Sequence, residues 1–321
     1  MGRNFPLYTL YRILTVEGIC HGLYLWWLVT ARHQAPMQVA TYAAMADVLV
    51  AILEIPTGRF ADRWGRRPSM ALGSILQWAG LWSLWRGPVL AGLLLVAAGD
   101  AFRSGAQEAL LYESSPEAFN ERIAWTQTVL LLALSALTAT GGWLAVHWSG
   151  SLAWQVELTL TGLGLITVIA MGEPPRHVPE EPLPVKVPWP PILLGAACCA
   201  TAALAEFMVP LQYRNPADIA AWIAVYPLAE AAGGWLAQYL HNPRWLWGLA
   251  AVGALCLLHP LLYLGAFAAA GAAIVLRMQA VFHAAGDDQR ATAGSIGGVC
   301  DLTFRIALLM LAARFFIHGI A

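Results

Sequence analysis

Apolar residues in this chain fall in long blocks separated by short polar breaks, and not in the alternating stripes of surface helices or strands. Blocks of about 20 residues, at about 1.5 Å rise per residue, are long enough to cross a ~30 Å hydrocarbon layer. The breaks predict helices over 7–30, 37–58, 69–86, 88–114, 124–147 and 153–171. A second set follows over 189–211, 217–240, 245–258, 260–284 and 291–317. The first block, opening near Leu7, is long enough to persist as a span and not be cleaved as a signal. Between the sets, GEPPRHVPEEPLPVKVP (Gly172 to Pro188) is rich in proline and charge and reads as a solvated connector. The expected protein is all-α and polytopic, with about eleven transmembrane helices: a six-helix half over 1–171, a linker over 172–188 and a five-helix half over 189–321.

Composition agrees. The chain is 59% hydrophobic and 12% charged, against about 25% charged in soluble domains. The net charge of −1 carries little information, but the placement of the charges does. With the N-terminus inside, the inner segments hold Arg3, Arg59, Arg63, Arg66, Arg67, Arg122, Arg176, Lys186, Arg244 and Arg290. The outer loops hold only Arg32, Arg86 and Arg214. That bias orients the chain by the positive-inside rule and places the C-terminus outside. Nothing points to nucleic acid. The five cysteines lie inside apolar blocks, without disulfide or metal spacing. The eight histidines are scattered, so neither metal nor cofactor is expected. No Walker A motif is present, which argues against ATP-driven work, and no constellation suggests an enzyme.

One break is unlike the others. EIPTGRFADRWGRRPSM (Glu54 to Met70) sets four arginines among two glycines and an aspartate. Gly58 and Gly65 permit close backbone approach or positive φ, and Asp62 suits a helix N-terminus or an arginine partner. Part of the pattern recurs: Glu54, Gly58 and Ala61 in the second helix match Glu230, Gly234 and Ala237 in the eighth. Recurrence at corresponding points supports two related halves, a common plan for secondary transporters.

At these residues the sequence resembles the major facilitator superfamily, whose loop between spans 2 and 3 reads G-x-x-x-D-R-x-G-R-R. Gly58, Asp62, Arg63, Gly65, Arg66 and Arg67 match every fixed position. Glu54 to Thr57 is similar to the lead-in of its drug- and metabolite-exporter branches. Gly99 to Ser114 resembles their span 4, and Arg290-Ala291-Thr292 the loop before span 11. The resemblance implies a two-bundle fold. It also implies a conformational latch of Glu54, Gly58, Asp62, Arg63, Gly65, Arg66 and Arg67 that bridges span 2 to neighbouring spans and to the start of span 11. The family has twelve spans, and no twelfth is expected after Phe316.

Ionisable residues at bilayer depth cost about 2.5–3.5 kcal/mol each on insertion scales and usually face a cavity or a partner. Spans 1, 4, 7 and 10 line the cavity in the family's layout. The candidates for proton or substrate contact are therefore Glu17, His21, Asp100, Arg103, Gln107, Glu206 and Arg277. Glu17 and His21 share a face at i,i+4, and Asp100 and Arg103 suit a salt bridge at i,i+3. Glu17, with no fixed cation one turn away, is the proton candidate. Asp301 and Arg305 form an i,i+4 pair, and Asp47 with Arg305 is a candidate bridge between the halves. Tyr24, Trp27 and Tyr112 are available to stack a planar or cationic solute.

The expected function is proton-coupled export of a small hydrophobic or amphipathic molecule by a secondary transporter of the inner membrane. Its partners are that solute, the proton and the lipid bilayer. An importer or facilitator on the same fold, or a non-transporting assembly factor, chaperone or sensor with a protein partner, is the alternative.

Overall fold

The computed structural model describes residues 4–174 (without 22–23 and 25–26), 188–212, 216–240, 242–257, 259, 262–285 and 290–319. The side chains of His21, Glu206 and Arg305 lie outside the described residues, and with them three of the expected site contacts, the Asp47–Arg305 bridge included. Secondary structure among the described residues is helical throughout.

The first span is interrupted. α1 (Asn4–Leu14) stops at Thr15–Glu17 and α2 (Gly18–His21) restarts, with a single π-helical turn further on at Trp27–Ala31. Then come α3 (Pro36–Trp64), α4 (Arg66–Arg86), α5 (Val89–Arg103), α6 (Ala106–Ser114), α7 (Phe119–His147) and α8 (Gly150–Ala170). The second set is α9 (Trp189–Gln212), α10 (Pro216–Leu236), α11 (Trp245–Cys256), α12 (Tyr263–Ala284) and α13 (Arg290–Gly319).

Two interruptions have visible causes. α3 and α4 meet at Gly65, whose φ of 124° favours glycine over any residue with a Cβ. The amides that open α4 are capped from a distance: Glu173 accepts from Arg66 N at 2.8 Å and Arg67 N at 2.9 Å. Span 4 breaks between α5 and α6 at Ser104-Gly105, with Gly105 at φ +63°. A broken helix at bilayer depth must find partners for its freed carbonyls. Thr57 Oγ1 donates to Ala101 O at 2.7 Å and Ser69 Oγ to Phe102 O at 2.6 Å.

α3 packs on α13, and α7 on α10. These contacts are counterparts if the halves are related, and the recurring glycines lie in them. A Cβ on Gly58 would come within 2.9 Å of Thr292 Cα on α13, whereas Gly234 looks across at Gln127 Cγ and Thr128 Oγ1 of α7, at 3.7 and 3.9 Å. The core is continuous across the set of helices at the end of the molecule where α3 turns into α4, called here the basic end. Tyr112, Phe119 and Phe282 stack there, with ring centroids 5.0 to 6.0 Å apart. The outer surface is apolar: Ile52, Ile166 and Leu255 are exposed, as are ten of the tryptophans. An apolar exterior around buried charge is the arrangement a bilayer solvent requires.

Candidate functional site: a charged cavity and its closed end

A cavity of 280 Å³ opens among α1, α5, α6 and α7, lined by Arg12, Thr15, Val16, Glu17, Asp100, Arg103, Gln107 and Leu130. The break in span 1 makes its wall. Glu17 holds a φ of 60°, rare for a residue with a side chain. Because α1 ends one turn below, Thr15 O points to side chains, accepting from Gln77 Nε2 at 3.0 Å and Arg103 NH1 at 3.2 Å.

The charges in this cavity are sorted. Arg12 donates to Glu108 Oε1 at 2.8 Å and to Tyr8 OH at 3.0 Å. Arg103 holds Asp100 in the i,i+3 pair its spacing suggests, and the Asp100 side chain is still 46% exposed. Glu17 has a neutral partner, accepting from Gln77 Nε2 at 2.5 Å. Two arginines therefore meet two carboxylates, and the third carboxyl is left with an amide. Beyond Gln107, a second space of 130 Å³ continues between Glu108 and Arg277 towards the glycines of α13. Arg277 pairs there with Asp301.

Asp301 thus has a partner on α12, where spacing alone suggested Arg305. Tyr24, Trp27 and Tyr112 line neither cavity. Tyr112 packs on Phe119 and Phe282 and lies under Arg290 at 4.0 Å, and Trp27 packs on Trp154.

At the basic end the helices are held together by a network across α3, α4, α6 and α13. The Asp62 carboxylate accepts from Ala291 N at 3.2 Å, from Thr292 N at 3.1 Å and from Thr292 Oγ1, so a side chain of the first half caps a helix of the second. Those amides are the unpaired donors of an α-helix start, where a negative charge is favoured. Asp62 also holds Arg66, whose buried guanidinium reaches Glu113 at the end of α6, at 2.7 Å from NH2 and 3.2 Å from Nε. Glycines make the approach possible: on Gly105 a Cβ would stand 2.4 Å from Ala291 O.

Four carboxylates of this architecture are absent from the expected site residues: Glu108, Glu113, Glu173 and Glu157. Glu157 on α8 is 1% exposed and accepts from Cys20 N at 3.1 Å, capping the restart of span 1. Its place in an apolar stretch at bilayer depth is the one sequence signal that pointed to it.

With this geometry in hand, comparison with known proteins places the chain. The model of the Major Facilitator Superfamily matches residues 17–308, and the protein belongs to that family. No curated protein sequence matches it. Among solved structures, the human organic anion transporter MFSD10 (TETRAN) is similar at 16% identity and a TM-score of 0.71, over 99% of this chain and 94% of that one. The E. coli fucose:proton symporter FucP aligns at 15% identity and a TM-score of 0.72, over 99% and 94%. A bacterial homologue of the iron transporter ferroportin, in an outward-facing state, aligns at 13% identity and a TM-score of 0.68, over 98% and 92%. At such identities the likeness is one of fold. The protein is a multi-pass membrane transporter.

Proposed function

We propose that this transporter is a proton-coupled exporter of the inner membrane, moving a small amphipathic molecule by alternating access. The carrying observation is the capping of α13 by Asp62, a bond that holds the two halves together at the basic end. In this reading Glu54, Gly58, Asp62, Arg63, Gly65, Arg66 and Arg67 form a cytoplasmic latch, with Glu113 and Glu173 as its supports. The latch is made when the opposite end is open and broken when the cavity turns inward.

Support for proton coupling lies in the sorting of charge. Glu108 and Asp100 have arginines, so Glu17 is the carboxyl able to exchange a proton without breaking an ion pair. The structural likeness to a protein named as a fucose:proton symporter is in keeping with that. Of the two solute classes expected from sequence, the lining favours an amphipathic molecule over a wholly hydrophobic one, because only Val16 and Leu130 offer apolar surface. The outward direction of transport rests on the resemblance of Glu54–Thr57 and Gly99–Ser114 to exporter branches.

The test is accumulation of a mixed compound panel in cells expressing the protein or Asp62→Asn, with and without a protonophore. Lower accumulation of a compound, abolished by the protonophore and in the variant, is the expected result. Accumulation that rises with expression would replace export by import, and indifference to the protonophore would remove the proton.

A further inference from the structure

Five buried or half-buried acids, Asp62, Asp100, Glu108, Glu113 and Asp301, each hold an arginine. Glu54 does not, although at 3% exposure it is among the most enclosed of all. It sits on α3, two turns before Asp62, where α3 meets both the broken span 4 and α13. Ser104 Oγ, at the break, donates to Glu54 Oε2 at 2.6 Å. Its other oxygen faces the second half, where a Cβ on Gly298 would stand 3.0 Å from Oε1. Ser295, one turn earlier on α13 and fully buried, stands beside the same carboxyl with its Oγ short of bonding geometry, placed to donate to the ionised acid or accept from the neutral one. Gly58 and Gly105 wall that hydroxyl, each with an ideal Cβ position 3.0 Å away.

We infer that Glu54 is a proton-binding site shared by the two halves, taking up a proton when the basic end closes and releasing it when that end opens. A neutral carboxyl fits the site: Oε2 keeps the Ser104 bond, and the proton on Oε1 can be donated to Ser295 Oγ. An ion in the same place would be a buried charge without a countercharge, which is costly at bilayer depth. The charged groups around it offer no relief. Asp100 and Glu108, from the two parts of span 4, have the same sign and are held by Arg103 and Arg12. Arg277 of α12, on the adjoining cavity, is held by Asp301 of α13. Parting α13 from α3 takes Gly298 and Ser295 away and lets water reach the carboxyl. Whatever binds one state shifts the equilibrium towards it, so acid favours closure and alkali favours opening. The inference rests on the alternating-access reading above and adds to Glu17 a second proton, placed on the gate and not in the cavity.

The experiment is hydrogen–deuterium exchange of the purified protein in nanodiscs from about pH 5 to about pH 9, corrected for intrinsic rates and read at the Ala291 and Thr292 amides bound by Asp62. The wild type is expected to open at least about tenfold more at the alkaline end. Glu54→Gln, whose amide donates to Ser295 and accepts from Ser104 as the neutral acid does, is expected to stay closed throughout. Ser295→Ala leaves the acid but removes the hydroxyl of α13 that bonds it, and should move the pH midpoint of opening by about one, a tenfold change in proton affinity. An unmoved midpoint in Ser295→Ala, or pH-dependent opening that persists in Glu54→Gln, assigns the proton elsewhere and overturns the inference. Wild-type exchange indifferent to pH overturns it too, and leaves the latch standing provided Asp62→Asn raises exchange at the same amides. If Asp62→Asn changes nothing either, both readings fall.

Discussion

Arg66 shows what a single residue has to do at the closed end. Its guanidinium is 1% exposed and divides its donors between Asp62 one turn earlier and Glu113 on another helix. A planar fork can serve two carboxylates at once, and a lysine ammonium cannot do so from the same depth. Arg66→Lys is therefore expected to lower thermal stability by about 2 kcal/mol, the scale of a lost hydrogen bond to a charged group, as read by unfolding in detergent. Gly105→Ala tests the same closure from the other side. The added methyl meets Ala291 O at 2.4 Å in a backbone conformation hostile to it, so exchange at the α13 amides should rise while the helices stay intact. Unchanged exchange would mean that the contact is not part of the closure.

Legibility at this scale follows sequence distance. Gly58, Asp62, Gly65 and Arg66 could be singled out because they lie within nine positions in the spacing of a family loop, although Gly58 and Asp62 meet partners on α13, and the Asp100–Arg103 pair follows from one helical turn. Glu113 is 47 positions from Arg66, Glu173 is 107 from it, and Glu157 is 137 from Cys20. No periodicity relates residues that only packing brings together. Asp301 is a similar case: its partner Arg277 stands 24 positions earlier on α12, where no helical spacing points to it.

Among the elements, the two broken spans matter most. The blocks of apolar residues predicted where spans 1 and 4 run, but not that each is two helices, because backbone breaks at Thr15–Glu17 and Ser104-Gly105 leave hydropathy almost unchanged. What sustains the breaks is polar side chains on other helices: Gln77 and Arg103 for Thr15 O, Thr57 and Ser69 for the end of α5, Glu157 for the start of α2. Glu157→Gln keeps an acceptor for Cys20 N–H and should behave nearly as wild type in thermal unfolding. Glu157→Leu orphans that amide and should cost about 1–3 kcal/mol. Equal stability of the two variants would show that the cap contributes nothing to the restart of span 1.

For the whole molecule, membership of the Major Facilitator Superfamily fixes the fold and leaves the sense of the cycle to experiment. If Glu17 carries the coupling proton, Glu17→Gln should abolish uphill movement of solute in a pH gradient while downhill exchange of the same solute continues. Loss of both would make Glu17 a solute contact and not a coupling group. Orientation is open to an equally direct check. A reporter joined after Ala321 should read outside the cell, and a cytoplasmic signal would mean that the number of crossings differs from eleven.

The exposed tryptophans have a practical consequence in optics. Trp64, Trp125, Trp245 and Trp247 face outward near the basic end, while Trp82, Trp143 and Trp148 do so near the other, and Trp154 is sealed inside. Indole emission is quenched by bromine on a lipid tail at a matching depth. The native protein therefore carries dyes near both faces of the bilayer, with Trp78 exposed midway along α4 and an internal reference in Trp154 that lipid does not reach. Rocking of one half against the other should register as unequal changes in quenching at the two faces, with no label attached.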